Sequence, residues 1–277
     1  MKTSFKTLPD GRVPHPQIPP KSAHSSHEQL LPEIFLKPTE LPSRGLAYPK
    51  GCEISYRPYT FGEIQKISQS KFNNKAKLSF VMQGIQCYFD KEEMTLADIA
   101  YVALLRKIST IGGHKVNVSF KCQKCHQACT EVLDFGTAQS KIEFHDLIAT
   151  ELPVIITFSN NKDYSFKPLT FKKFAKIIEQ NCEDDTIALI SHQCVDADYK
   201  DVYKVIENAT YEDQVLLEEL DKLLEHNIKP VSIVCHNKPC NFENKVELAG
   251  VDALLLPFRE HKKSPSSRIR FGSKASH

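Results

Sequence analysis

The chain has 277 residues, 41% of them hydrophobic and 25% charged, with a net charge of +2. That is enough apolar material for one large core or two small ones, and no apolar run reaches the length of a membrane span. Six Lys or Arg lie between residues 257 and 277 against one acid, Glu260, so the body is slightly acidic and carries no strong footprint for nucleic acid.

The opening, MKTSFKTLPDGRVPHP, lacks the apolar stretch of a signal peptide, which predicts a chain that stays in the cytosol of the cell that makes it. Nine of the sixteen prolines lie in residues 1–49. Residues 1–48 are therefore expected to form a proline-rich arm, disordered to about residue 28 and then extended over a surface of this protein or a neighbour. Beyond the arm, strand and helix patterns alternate. Residues 53–57 read as a strand, and Phe61, Ile64 and Ile67 fall at helical spacing. Residues 74–88 form a second helical candidate. Thr95 and Asp98 have the spacing of a capping box that opens a third helix through Ile99, Ala103, Leu104 and Ile108. Residues 115–121 alternate as a strand, the pair Cys122 and Cys125 follows, and another strand lies near Val132. Residues 153–168 look like a hairpin turning through Asn160, Asn161 and Lys162, with a degenerate version expected around 45–57. The residues from 257 to the end read as a basic, disordered tail.

The same order of features recurs about 110 residues later. EISYRPYTFGEIQKI from Glu53 aligns with DYSFKPLTFKKFAKI from Asp163, sharing Ser55/Ser165, Pro58/Pro168, Thr60/Thr170, Phe61/Phe171, Lys66/Lys176 and Ile67/Ile177. The capping pair Thr95 and Asp98 answers to Thr210 and Asp213, VSFKC ending at Cys122 to VSIVC ending at Cys235, and VLDFG at Val132 to VELAG at Val246. Four collinear matches point to duplication rather than to a common local grammar. The modules are expected at 49–138 and 139–256, each running strand, helices, strand, cysteine knuckle, strand: an α+β fold. Lys173 stands where Glu63 closes a capping box, so the second copy's helix should be less well capped.

Nine cysteines in a chain kept in a reducing compartment do not suggest a disulfide framework. Cys122 and Cys125 are separated by two residues and Cys235 and Cys240 by four, each pair directly after a strand. Two such knuckles from distant segments satisfy a tetrahedral zinc, so Cys122, Cys125, Cys235 and Cys240 are the candidate ligands of one structural site. That site would be the most direct link between the modules, its binding energy acting as folding energy. The alternatives are a pair of relic knuckles without metal, redox chemistry, or exchange of a ligand for His126, Cys129 or His236. Cys52, Cys87, Cys182 and Cys194 have no paired spacing and read as core or incidental residues.

Little in the sequence asks for catalysis. There is no glycine-rich phosphate loop, no HExxH and no GxSxG. His192 and Cys194 are too close along one helix to face each other. Glu212, Asp213, Glu218, Glu219 and Asp221 read as a solvated acidic face. The reading is a non-enzymatic structural or assembly protein, and the alternative is a zinc-ribbon nucleic-acid-binding protein using its basic tail.

LPSRGLAYP at residues 41–49, followed by ISYRPYTFGEI, resembles the opening of the baseplate hub family of T-even-type tailed bacteriophages. Such proteins also carry a strand-borne cysteine pair like Cys122 and Cys125. The likeness covers most of residues 40–250. It implies a hub or hub-assembly role with other baseplate hub or tail proteins as partners, in the host cytoplasm during assembly and then in the virion tail. The proline-rich arm and basic tail are not part of that pattern.

Overall fold

The computed structural model describes residues 32–69, 74–111, 115–134, 143–182, 184–246 and 248. The expectations of disorder up to residue 28 and from 257 onward lie outside these residues.

From residue 32 the proline-rich segment lies against this protein itself, one of the two surfaces expected for it. Ile34–Leu36 (β1) pairs antiparallel with Ile54–Tyr56 (β2), placing Ile34 opposite Tyr56. Leu36, Leu41 and Tyr48 are buried. Prolines exclude a helix but tolerate edge strands and turns, and the apolar residues between them offset the entropy of ordering the chain. The strand partner expected around residue 45 is thus displaced upstream, and 37–53 becomes a turn-rich connection. That connection is a clasp. Ser43 N–H donates to Asp98 Oδ1 at 2.9 Å and Tyr48 Oη donates to Asp98 Oδ2. Arg44 Nη2 reaches forward to the carbonyls of Leu147 and Ala149. Gly45 has φ +73°, and a Cβ there would lie 2.6 Å from Pro38 Cβ, so the turn needs glycine.

Phe61–Gln69 (α1) and Asn74–Gln83 (α2) follow, then Ile85–Cys87 (β3), which completes the sheet in the order β1-β2-β3. The helix expected over 74–88 therefore stops at Gln83. At Gly84 any Cβ would lie 2.1 Å from Nη2 of Arg106. Arg106 is fully buried and donates to the carbonyls of Arg57 and Val81 and to Glu63 Oε2. It comes from Leu96–Ile111 (α3), whose Ile99, Val102, Ala103 and Leu105 have no exposed surface. Lys115–Lys121 (β4) and Ala128–Asp134 (β5) then form a two-stranded ribbon, with Lys115 opposite Asp134.

Val154–Thr157 (β6) and Asp163–Phe166 (β7) make the hairpin read from the sequence, with Asn161 in the left-handed region at φ 56°. Four helices follow: Phe171–Glu179 (α4), Thr186–Gln193 (α5), Tyr199–Glu207 (α6) and Tyr211–Leu224 (α7). Val231–Val234 (β8) and Glu243–Val246 (β9) form a second ribbon. Helices with small antiparallel sheets make the fold α+β.

One core surrounds α3 and another gathers Leu147, Phe158, Phe166, Val202, Leu217 and Leu220. The halves meet over more than the cysteines, which corrects the expectation that sulfur is their most direct link. The first core takes in Phe171, Ile228 and Leu248. The starts of α3 and α4 exchange backbone hydrogen bonds, Leu96 N–H to Leu169 O at 3.1 Å and Phe171 N–H to Met94 O at 2.9 Å. Buried His226 sits between Leu224 O at 2.7 Å and Thr95 Oγ1 at 3.1 Å. A strand-and-cap sequence buries apolar faces wherever a complement exists, and these two halves are complements of each other.

Candidate metal centre

Both cysteine pairs lie at the turns of the ribbons. Strand β4 delivers Cys122, whose N–H donates to Gln127 O at 2.9 Å, and the chain reverses through Cys125 and His126, at φ 57°. Strand β8 delivers Cys235, whose N–H donates to Phe242 O at 2.8 Å, and this turn reverses through Cys240 and Asn241, at φ 41°. In each ribbon the residue after the second cysteine is therefore left-handed, which folds the turn so that both sulfurs face one side.

The four sulfurs of Cys122, Cys125, Cys235 and Cys240 all lie within 4.8 Å of one another. Cys122 Sγ is 3.8 Å from Cys240 Sγ, and Cys125 Sγ is 3.6 Å from Cys235 Sγ. Sulfurs placed about 2.3 Å from a tetrahedral ion sit about 3.8 Å apart, so the donor set fits a metal ion held by four thiolates. Cys122 and Cys235 are buried, and Cys125 and Cys240 are partly exposed. The amide of Cys125, against burial and with help from the amide of Lys124, brings the Cys122 thiol down to about 6. The Asn237 amide favours the Cys235 thiolate, but burial and the neighbouring thiols outweigh it and push that thiol up to about 12. One sulfur readily carries charge while its neighbour resists, because several thiolates this close repel unless a cation lies between them.

Two further groups adjoin the sulfurs: Asn244, which the sequence alone does not single out, and Cys129, named above as an exchange ligand. Asn244 is buried on β9. Its Oδ1 accepts from Gln123 N–H at 2.9 Å, and its amide nitrogen donates to Phe242 O at 3.0 Å, so one side chain ties the two ribbons together beside the sulfurs. An asparagine within a short strand carries no sequence signal for this, since its burial depends on the other ribbon. The second is Cys129. Its sulfur lies 3.8 Å from Cys235 Sγ and it is buried, though it stands outside the four-sulfur group. His236 turns away to pair with Glu131.

The remaining sequence candidates are structural. His192 stacks on Tyr199, with ring centroids 4.5 Å apart, and the Cys194 thiol donates to Asp196 Oδ1 at 3.2 Å, so the two do not form a couple. Asp213 does not belong to a solvated acidic face. It is buried and accepts from Ser159 N–H at 2.9 Å, Ser159 Oγ at 2.6 Å and Thr210 N–H at 3.1 Å. Among the described residues no helix is long and apolar enough to cross a membrane.

The chemistry-bearing residues of this mixed scaffold tie chain segments to one another. A family model described as "T4 bacteriophage base plate protein" matches residues 34–255, and the chain belongs to that family. It is a structural component of a phage baseplate, and its partners are other baseplate or tail proteins. Neither the curated proteins nor the solved structures gave a match.

Proposed function

We propose that this protein is a subunit or assembly factor of the baseplate hub, that it acts by docking to other hub or tail proteins rather than by catalysis, and that it assembles in the host cytoplasm. The family match over residues 34–255 is the observation that carries the reading, and the resemblance of the run LPSRGLAYP to the opening of hub proteins is what favours the hub. In this protein that run is the clasp holding Asp98 at the start of α3 and the carbonyls of Leu147 and Ala149. The basic tail is then a docking element. The nucleic-acid alternative draws no support from the family.

Two diverged copies of one module, 49–138 and 139–256, make up the scaffold in this reading. Supporting it, Ser43 donates its N–H to Asp98 and Ser159 donates its N–H to Asp213, each at 2.9 Å, a correspondence between residues 115 or 116 positions apart. In this reading Cys122, Cys125, Cys235 and Cys240 bind one zinc ion, a borderline-soft ion that takes thiolates tetrahedrally and leaves no open position for substrate. Its work is to clamp the turns of the two ribbons.

A phage with a stop codon early in this gene tests the role. Electron microscopy of the lysate should show filled heads and no complete baseplates, and complete baseplates would overturn the hub reading. Elemental analysis of the protein purified without chelator should give one zinc per chain. Less than about a third of an equivalent would overturn the closed four-thiolate site.

A further inference from the structure

Cys129 is the one buried residue of strand β5. What buries it is the sulfur cluster: Cys122, Cys129 and Cys235 form a small core with Phe120, Cys125, Cys240 and Phe242 packed against it. Cys125 and Cys129 flank the same sulfur, at 3.6 and 3.8 Å from Cys235 Sγ. Cys125 is the partly exposed member of that pair and Cys129 the buried one. The Cys129 thiol also faces Gln127 O at 3.7 Å, a weak contact that yields easily to a metal–sulfur bond.

We propose that Cys129 is an alternate ligand of the metal centre, taking the place of Cys125 when that sulfur is lost or blocked. The exchange is balanced. Cys129 releases its proton to solvent and binds through its thiolate at the position that the lost or blocked Cys125 sulfur no longer fills, so the ion again holds four thiolates. Both sulfurs adjoin Cys235 Sγ, so Cys129 stands next to the position from which Cys125 would be lost. A merely apolar Cys129 would pack under the site and leave the ligand set unchanged.

The proposal rests on the metal-site reading, so the test begins with unsubstituted protein loaded with cobalt(II), whose thiolate charge-transfer absorption reports the number of bound sulfurs. Absence of any cobalt–thiolate band would sink the metal site itself. Given binding, Cys125→Ser should keep a four-thiolate spectrum and lose no more than roughly tenfold in affinity, the scale of an outer-shell change. Cys125→Ser/Cys129→Ser should show fewer thiolates and lose about 100-fold or more. Cys129→Ser alone should leave spectrum and affinity close to those of the parent. Equal behaviour of Cys125→Ser and the double variant overturns the exchange, and loss of metal from Cys129→Ser makes Cys129 a resident ligand instead. If Cys125→Ser does not fold, alkylation of the metal-loaded parent decides. Protein labelled only at Cys125 should retain its ion, and release of the ion on that labelling would overturn the proposal.

Discussion

Gly84 and Arg106 divide one small volume between them. The guanidinium lies 3.8 Å from the centre of the Tyr59 ring and spends its donors on three backbone carbonyls and Glu63. Replacing Gly84 by Ala puts a methyl where Nη2 stands, and should cost about 1–3 kcal/mol by overpacking. Arg106→Leu strips carbonyls of their donor and takes from Glu63 the buried one of its two arginine partners, at about 3–5 kcal/mol. Urea unfolding of both variants and of their combination checks this. The combined loss should fall short of additivity, since the Ala clashes only with an arginine. A second residue-scale effect follows from Asp213. The Ser159 hydroxyl, joined by the amides of Ser159 and Thr210 and opposed by burial, holds its carboxyl at about 2. An unfolded Asp titrates near about 3.9, so this contribution is complete above that pH and is lost as pH falls through about 2. Stability between pH 5 and about 2 should therefore drop less steeply in Asp213→Asn than in the parent. Parallel urea midpoints across that range would contradict the assignment. The spacing Thr210 to Asp213 was legible as a cap, but burial of the carboxylate was not, because Ser159 arrives from a hairpin more than fifty residues upstream.

Among the elements, the helix starts differ as their sequences do. Glu63 Oε2 accepts from Thr60 N–H at 2.7 Å while Thr60 Oγ1 accepts from Glu63 N–H at 3.2 Å, a complete box for α1. Thr170, before α4, makes no side-chain cap, and its Oγ1 is buried without a partner among the described residues. Lys173 instead donates to Cys194 O at 2.8 Å, and the first turn of α4 borrows the carbonyl of Met94. Thr60→Ala should then cost about 1 kcal/mol, whereas Thr170→Val should be neutral or stabilising by a few tenths to about 1 kcal/mol. Thermal melts of the two variants compare them directly, and a loss at Thr170 as large as that at Thr60 would refute the contrast. The third helix, α3, shows where local grammar misleads. Its Thr95 caps Asp98 N–H, yet the Asp98 carboxylate serves Ser43 and Tyr48, and Tyr48 Oη takes the Thr95 N–H at 3.1 Å. A box read from spacing assumes its partners are local, and here the clasp outcompetes them.

At the scale of the whole molecule, the halves share a core, a backbone bridge between Thr95 and Thr170, and the His226 contact. If the four thiolates hold the proposed metal, removing it with a chelator should accordingly speed amide exchange in residues 115–134 and 231–246 while leaving α3, α4 and α7 nearly unchanged. Cys235→Ser should do the same. Uniform loss of protection across both halves would mean that the sulfurs govern the entire junction after all.

The amino-acid sequence by itself determined the α+β class, the strands at 53–57 and 115–121, the hairpin at Asn161, the four sulfurs and the unequal helix caps. Each rests on short-range rules: periodicity, turn chemistry, cap spacing and ligand spacing. Only the tertiary structure decided that Leu36, Leu41 and Tyr48 belong to a core, that Asp213 is buried, that Asn244 adjoins the sulfurs, and that the halves are joined along an apolar seam. Those facts depend on which distant surface each residue meets, and burial is a property of the pair in contact, which no single stretch of chain encodes.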